Sequence, residues 1–381
     1  MNVPEIISVM YCLNTQQGHI FGYNRTFGEI VRSIGWTHTG WARAAAQVGP
    51  LPIGWRICLG TADVSQSHIS KFIALMRTQM RLLRDIRSEY PVLFLEWFDL
   101  VHLISLAIVL SLAKKPKNLR LWIMFRLGLH GARDKWIYRI MLRWYEALLG
   151  RTNVTLLSDS DKVAQNNEAA LTRPLHVLPI PHTAVPSDAD IAAARVLRSS
   201  LTPQSIVCWW PGQPAAAKGL DVIRMIAASQ AQEAEQIHLV FAESAEVVHI
   251  GRTRVQRVPN VLSHAEYAAW MAAADVILLP YDPAAYAERT SGIFTEAVAA
   301  GRMPFVSEGT WMAHELHRHG LPEFIVDWNR PDLIDYIVRT VRDASAQERL
   351  RRFSIVYRAY HCEQSFGEEL VRLWETLRSS H

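Results

Sequence analysis

The stretch DVILLPYDPAAYAERTSGIFTEAVAAG, residues 275–301, gives the main indication of the fold. It opens with a continuous apolar run, which is typical of a strand buried on both faces of a parallel sheet. It ends in an alanine-rich segment with helical periodicity, and Gly301 suits the position just after a helix. Ser291 or Thr290 is a good N-cap for that helix. The stretch therefore predicts a strand, a loop and a helix, the repeating unit of a doubly wound α/β domain.

The start of this predicted helix is a candidate anion site. The backbone N–H groups of Gly292 and Ile293 have no partner within the helix, and the helix dipole adds to their positive field. Glu288 and Glu296 would repel a phosphate there, but each could accept hydrogen bonds from hydroxyl groups on either side of it. A nucleoside diphosphate sugar has that layout: sugar, two phosphates, ribose. Glutamates near helix starts are also common simply because they complement the dipole.

Strand-like and helix-like segments alternate along the whole chain, as expected of parallel sheets. The strand-like segments include IISVMYCL, WRICLG, PVLFLEW, LRLWIMF, NVTLLSDS, SIVCWWPG, IHLVFAE, VQRVPNVLS and MPFVSEG. The helical patterns include residues 67–88, 132–149, 220–235 and 264–274. We predict an α/β fold of two doubly wound, Rossmann-like domains with a cleft between them, where ligands bind beyond the carboxyl ends of the strands.

A proline-rich segment marks the predicted domain boundary. The segment HVLPIPHTAVPSDAD, residues 176–190, contains Pro179, Pro181 and Pro186. Proline disfavours both helix interiors and central strands, so we predict a linker here. The predicted domains are residues 1–183 and 184–364.

Composition and cysteine use favour a globular, cytoplasmic protein. The chain has 381 residues, of which 50% are hydrophobic and 20% charged. Its four cysteines lie far apart, which argues against a disulfide framework or a zinc site. The N-terminus has no basic region before its apolar residues and is predicted to be a strand, not a signal peptide. The apolar run at residues 101–113 is too short to span a bilayer, which leaves a buried core helix or a helix that dips into a membrane surface.

Charge is distributed unevenly along the sequence. Up to Ser187 there are 21 basic and 12 acidic residues, against 19 and 24 in the remainder. A basic half can attract nucleic acid, an anionic membrane or an acidic substrate. No RNA- or DNA-binding motif accompanies these charges, so no nucleic-acid partner is predicted. Peripheral contact with the inner face of an anionic membrane stays open.

Three motifs in the second half resemble a known enzyme family. The first is the E-x7-E pair of Glu288 and Glu296, and the second is PGQPAAAKGLDVI, residues 211–223. The third is LSHAEYAAWMAAADVILLPYD, residues 262–282. Together they resemble the retaining GT-B glycosyltransferases, especially glycosyltransferase family four, over roughly residues 205–320. Gln213 stands where that family has an arginine, and Arg289 is a candidate replacement.

The resemblance implies a GT-B fold and transfer of a sugar from a nucleotide donor to an acceptor hydroxyl, with retained configuration and no metal or other cofactor. It also implies that the final helix, residues 365–381, crosses back to the first domain. The residues implied for catalysis are Glu288, His130 and Lys218. Those implied for donor binding are Gly212, Gln213, Lys218, Gly219, Leu262, Arg289, Thr290, Ser291, Gly292, Ile293 and Glu296. Those considered for acceptor binding are Asn14, Gly18, His19 and Arg126.

Several alternatives remain open from the sequence. Asp159 and Asp161 have the D-x-D spacing of metal-dependent transferases, but a helix cap is the favoured interpretation. His314, His317 and His319 lack an evident further ligand, which favours a solvated helix. A sugar-nucleotide epimerase of the same fold and a degenerate binding or scaffold subunit are the rival functions. The acceptor could be a lipid-linked saccharide, a polysaccharide or a small molecule.

Overall fold

The computed structural model describes residues 3–10, 19–43, 53–59, 68–181, 186–202 and 204–379. The chain divides into two compact units. The first consists of Met1–Pro181 together with Glu363–His381, and the second of His182–Cys362.

The first unit contains a seven-stranded parallel sheet with strand order β3-β2-β1-β4-β5-β6-β7. The strands are β1 Glu5–Met10, β2 Thr37–Arg43, β3 Trp55–Leu59, β4 Pro91–Trp97, β5 Arg120–Phe125, β6 Val154–Ser158 and β7 Leu175–Val177. Strand β2 was not predicted. Strand β7 corrects the predicted linker at residues 176–190, because its residues pair with β6.

In the described part of this unit, five helices follow the strands: α1 His19–Ser33, α2 His68–Asp85, α3 Leu100–Leu112, α4 Ala132–Leu149 and α5 Asp161–Leu171. Apolar side chains of α2 to α5 pack on one face of the sheet, and those of α1 pack on the other. Helix α3 begins at a capping box of Asp99 and His102 and buries Leu103, Leu106 and Leu110. The prediction of a core helix at residues 101–113 is therefore confirmed. Among the helices described, none is both long and apolar enough to cross a membrane.

The second unit contains a six-stranded sheet with order β10-β9-β8-β11-β12-β13, also parallel throughout. The strands are β8 Ile206–Trp210, β9 Ile237–Ala242, β10 Arg254–Val258, β11 Val276–Leu279, β12 Met303–Ser307 and β13 Ile325–Val326. The strand order reverses between β8 and β11. Such a reversal opens a crevice at the carboxyl ends of the two strands, where ligands bind in doubly wound sheets.

The helices of this unit are α6 Asp188–Ser199, α7 Leu220–Ala227, α8 His264–Ala273, α9 Pro283–Tyr286, α10 Gly292–Ala299, α11 Trp311–Arg318, α12 Leu333–Arg342 and α13 Ala344–Tyr360. Helix α6 begins inside the predicted linker. Helix α7 ends at Ala227, so the predicted helix over residues 220–235 is too long. A neighbouring loop explains the stop, because Thr253 Oγ1 donates to the Ile226 carbonyl and the Arg252 N–H donates to the Ser229 carbonyl, both at 2.8 Å.

The last helix, α14 Glu363–Ser379, packs in the first unit. Phe366 and Trp374 are buried there. The ring of Phe366 meets Phe27 edge-on at 5.9 Å between centroids, and Trp374 meets Trp36 at 6.1 Å. The core on this face of the first sheet is thus built from both ends of the chain.

Candidate functional site

The loops that follow β8 and β11 meet where the strand order of the second sheet reverses. The Asp282 N–H donates to the Ala217 carbonyl at 3.0 Å. Gly219 has a φ of +79°, and a Cβ there would lie 2.2 Å from the Pro280 carbonyl oxygen. Only glycine combines this left-handed conformation with such close contact. Gly219 therefore fixes the loop that carries Lys218 against the loop that leads to α10.

Lys218 lies beside the start of α10. A Cβ added to Gly212 would lie 3.3 Å from Lys218 Nζ and 3.4 Å from Ile293 Cδ1. The Trp210 indole N–H donates to the Lys218 carbonyl at 3.0 Å and holds the backbone of the loop. Gly212 and Lys218 of one motif are thus brought together with Ile293 of another.

Two cations share this place. Burial and, to a lesser extent, the positive charge of Arg289 lower the pKa of Lys218. The Arg289 guanidinium lies over the Tyr286 ring, 5.4 Å from its centroid. Within the described part of the chain, neither cation has an acidic partner. Two positive charges held close together repel each other, and a bound anion would stabilise both of them.

The N-terminus of α10 adds to that field. Ser291 is the N-cap, since its hydroxyl accepts from the Phe294 N–H at 3.3 Å. The cap leaves the N–H groups of Gly292 and Ile293 in the first helical turn, where anions are stabilised. The helix ends at Ala299, and Gly301 follows with a φ of +68°. The predicted start and end of this helix are confirmed.

Glu296, on the second turn of α10, is held by a tyrosine that the sequence did not single out. The Tyr267 hydroxyl donates to Glu296 Oε2 at 2.5 Å. The Tyr267 ring packs against Trp209 at 5.2 Å between centroids. Burial raises the pKa of Glu296 to about 7, and the Tyr267 hydrogen bond opposes that rise. Glu296 is therefore a hydrogen-bonding group whose charge changes near neutral pH.

The other predicted donor residues lie in loops of the same unit. Glu288 and Thr290 are half-buried between α9 and α10, whereas Gln213 is exposed in the loop after β8. Leu262 is half-buried just beyond β10. Nearby, Asn260 Oδ1 accepts from the Ser244 N–H at 2.9 Å, which joins the loops after β9 and β10.

Three residues considered for acceptor binding lie outside the described residues or at their edge. Asn14 and Gly18 lie outside the described residues, and His19 is described only as the first backbone position of α1. His130 is exposed in the turn that precedes α4, after a strand as predicted.

Arg126 occupies a buried cluster of charges. Its guanidinium forms ion pairs with Glu96 and Asp159 and lies over the rings of Tyr23, at 4.2 Å, and Trp97, at 5.2 Å. Burial raises the pKa of Glu96 to about 7, against the opposing charge of Arg126. Two carboxylates already balance the charge of Arg126, and its role in acceptor binding stays a prediction. An isolated Glu at the end of an apolar strand was the sequence signal for the cluster.

The two candidate metal motifs have structural uses. Ser160 is the N-cap of α5 and accepts from the Val163 N–H at 3.2 Å, and Asp159 pairs with Arg126. His317 pairs with Glu308 at 3.0 Å on the exposed side of α11. His319 packs on Phe353 at 4.4 Å between ring centroids. The helix-cap interpretation of the D-x-D segment is confirmed.

Comparison with known proteins identifies the fold through structure alone. No family model and no curated protein matches the sequence. A glycosyltransferase from Rickettsia africae matches with a TM-score of 0.69 at 10% identity, over 100% of both chains. HepE from Anabaena, solved in complex with UDP and glucose, matches with a TM-score of 0.65 at 12% identity, over 98% of this chain and 99% of its own.

A third similar structure is WaaG, a glycosyltransferase involved in lipopolysaccharide biosynthesis. It matches with a TM-score of 0.61 at 14% identity, over 96% of this chain and 98% of its own. At such identities the likeness establishes the fold and not the activity. The protein has the GT-B fold, with two Rossmann-like domains built on parallel sheets of seven and six strands.

Proposed function

We propose that this protein is a glycosyltransferase that transfers a sugar from a nucleoside diphosphate sugar to an acceptor hydroxyl, with retention of configuration. The observation that carries the proposal is the pair of cations, Lys218 and Arg289, beside the start of α10. Among the described residues they have no acidic partner. The glycosyltransferase fold of the structural neighbours supports the same function.

Each part of the site has a role in this reaction. Lys218, Arg289 and the first N–H groups of α10 would bind the diphosphate and stabilise the charge that develops on it as the leaving group. Glu296 would accept hydrogen bonds from the ribose diol. Glu288 would orient the donor sugar without forming a covalent bond to it. His130 is the remaining predicted catalytic residue, and its contribution is a proposal from the family resemblance.

The acceptor side is proposed more broadly. A saccharide, a lipid-linked saccharide or a small molecule would each supply the attacking hydroxyl, with a polysaccharide, a glycolipid or another glycoconjugate as the product. We propose that transfer needs no divalent metal, because the protein's own cations and helix N–H groups face the leaving group. Activity that persists in excess chelator would support this point.

Calorimetric titration with UDP, GDP, ADP and dTDP tests the donor site. We expect one diphosphate to bind in the micromolar range and Lys218→Ala to weaken it at least about tenfold, because a charge-assisted hydrogen bond is lost. Lys117→Ala, an exposed lysine of the first unit, is the matched control and should bind normally. Absence of binding by the intact protein, or equal binding by Lys218→Ala, would contradict the proposed site.

Assays with the matching nucleotide sugar distinguish transfer from the rival functions. A transferase releases the nucleoside diphosphate and forms a glycoside whose anomeric configuration matches that of the donor. An epimerase alters the sugar nucleotide without any acceptor, and a binding subunit takes up the nucleotide without turnover. Proton NMR of the reaction mixture separates the three outcomes.

A further inference from the structure

The loop between β5 and α4 carries His130, and few of its own side chains pack in the core. The loop consists of residues 126–131. Leu127 is 64% exposed and His130 is also exposed, whereas Leu129 is half-buried against the core of the first unit. The backbone of this loop therefore needs hydrogen-bond partners from elsewhere in the fold if it is to keep one conformation.

A buried asparagine of helix α5 supplies such partners. Asn167 has no exposed surface. Its Oδ1 accepts from the Leu129 N–H at 2.8 Å, and its Nδ2 donates to the Leu127 carbonyl at 3.2 Å. Exchanging the two amide atoms would set N–H against N–H and oxygen against oxygen, so the hydrogen bonds fix the orientation of this side chain. One amide group thus ties two loop residues to α5, as a neighbouring strand would.

These two bonds explain why an asparagine occupies this place in α5. Four apolar residues of the helix are buried with it: Val163, Ala164, Ala170 and Leu171. Asparagine is a poor residue for a helix interior, and a buried amide without partners is costly. On packing alone, leucine would suit the position better. Asn167 is therefore accounted for by the loop that it binds and not by the helix that carries it.

Both chain neighbours of His130 are consequently held. On one side, the Leu129 N–H is bound by Asn167. On the other side, Gly131 is the N-cap of α4, and its carbonyl accepts from the Lys135 N–H at 3.0 Å. The backbone around His130 is thus fixed from α5 and from α4, which sets the direction of its Cα–Cβ bond.

We propose that Asn167 is a positioning residue for His130, because its two hydrogen bonds hold the loop after β5 in the conformation that sugar transfer requires. The inference rests on the proposed function, in which His130 is a catalytic residue. Asn167 is buried and acts through the loop, so it does not touch the substrate itself. A displacement of about 1 Å at a reacting group can cost about a hundredfold in rate. Loss of these bonds should slow the chemical step and leave donor binding, which is assigned to the second unit, unchanged.

Steady-state kinetics of Asn167→Leu tests the proposal, with the sugar derivative of the diphosphate that binds in calorimetry as the donor. Leucine has a similar volume but forms neither hydrogen bond. We therefore expect kcat to fall about tenfold to a hundredfold, while KM for the donor changes by less than about twofold. Asn167→Ser should behave alike, and its hydroxyl can bond to a carbonyl of α5, which favours correct folding. Asn166→Leu makes the same change at the exposed neighbouring residue and should leave both constants unchanged.

A double-mutant cycle with His130→Ala separates positioning from a merely structural role. If Asn167 acts through His130, Asn167→Leu should have little further effect on kcat once the His130 side chain is absent. A structural role would lower kcat by the same factor in both backgrounds. That result, or full activity of Asn167→Leu in the otherwise intact protein, would overturn the proposal.

Hydrogen exchange measured without substrate tests the hold on the loop separately from the activity. Peptides that cover residues 126–131 should exchange about tenfold faster or more in Asn167→Leu than in the wild type, while the strands of the second unit keep their protection. Equal protection in the two proteins would overturn the proposal. A protected loop in a wild type that shows no transfer would instead overturn the proposed function, together with the catalytic part of this inference.

Discussion

At the residue scale, the buried carboxyl group of Glu296 should make both the stability of the protein and its binding of nucleotide depend on pH. Burial raises its pKa from 4.5 to about 7, and the Tyr267 hydroxyl opposes the rise by donating a hydrogen bond. Between pH 4.5 and about 7, Glu296 is therefore mostly protonated in the folded protein but mostly ionised in the unfolded chain. This group's contribution to stability is full below the unfolded pKa and is lost as pH rises through the folded value. Glu296→Gln should consequently raise the melting temperature more at pH 8 than at pH 5.

Nucleotide binding should depend on pH in the opposite sense. The ionised carboxylate can accept from both hydroxyls of a ribose diol, so we expect affinity to rise as pH increases through about 7. Tyr267→Phe removes a hydrogen bond that lowers the pKa and should move the midpoint to higher pH. Calorimetry across this range, with Glu296→Gln as the reference for titration of the nucleotide itself, measures the effect. Identical profiles for the wild type and Glu296→Gln would exclude the assigned role.

Arg289 should supply the positive charge that the resembling family supplies from an arginine at the position of Gln213. We expect Arg289→Ala to weaken diphosphate binding about tenfold, the effect of one charge-assisted contact. Gln213→Arg in that background should recover part of the loss, because it places an arginine in the loop that carries Lys218, where the resembling family has one. Binding constants of the single and double variants form a complete cycle. If Arg289→Ala binds normally, Arg289 lies outside the phosphate contacts.

At the element scale, Ser291 gives α10 both its start and its anion-binding end. Ser291→Ala removes the bond to the Phe294 N–H and should destabilise the protein by about 1 kcal/mol, the usual cost of a lost N-cap. Ser291→Asp keeps a good N-cap, so stability should be retained, but its charge would repel a phosphate. Urea denaturation and diphosphate titration of both variants separate the two effects. Normal affinity in Ser291→Asp would place the diphosphate away from the helix start.

At the scale of the whole molecule, the first unit is assembled from two separate parts of the chain. Phe366, Leu370 and Trp374 of α14 are buried against the side of the sheet that also holds α1. Deleting residues beyond Cys362 should therefore expose the α1 side of that core. Phe366→Ala alone should lower the free energy of unfolding by about 3–5 kcal/mol, as in other proteins where a buried Phe is truncated to Ala.

Hydrogen exchange measured by mass spectrometry would show this effect directly. We expect the truncated chain to lose protection in α1 and β1, while the strands of the second unit keep theirs. Arg372→Ala, an exposed position on α14, is the control and should exchange like the wild type. Unchanged protection of α1 after the truncation would show that the first unit folds without α14.

Local sequence determined the helices and strands, because the interactions that start and end them act over only a few residues of the chain. The apolar run of β11, the Ser291 cap and the Gly301 stop act within a few residues, so their pattern predicts the helix α10 and its strand. Strand β2 was not predicted because Gly40 weakens its strand pattern. That glycine is needed by a partner distant in sequence, since a Cβ there would lie 2.1 Å from the Trp55 ring.

Tertiary structure alone decided which side chains meet. Lys218 and Ile293 lie close together through the positions of β8 and β11 in the sheet, and Tyr267 reaches Glu296 from another helix. Arg126 is enclosed by Glu96 of β4 and by Asp159, which directly follows β6. Strand order and side-chain packing set these contacts, and neither is encoded in local periodicity. The sequence by itself therefore determined an α/β chain with a glycosyltransferase-like motif. The folded chain decided that the motif's cations face a helix start while Arg126 is held inside the first unit.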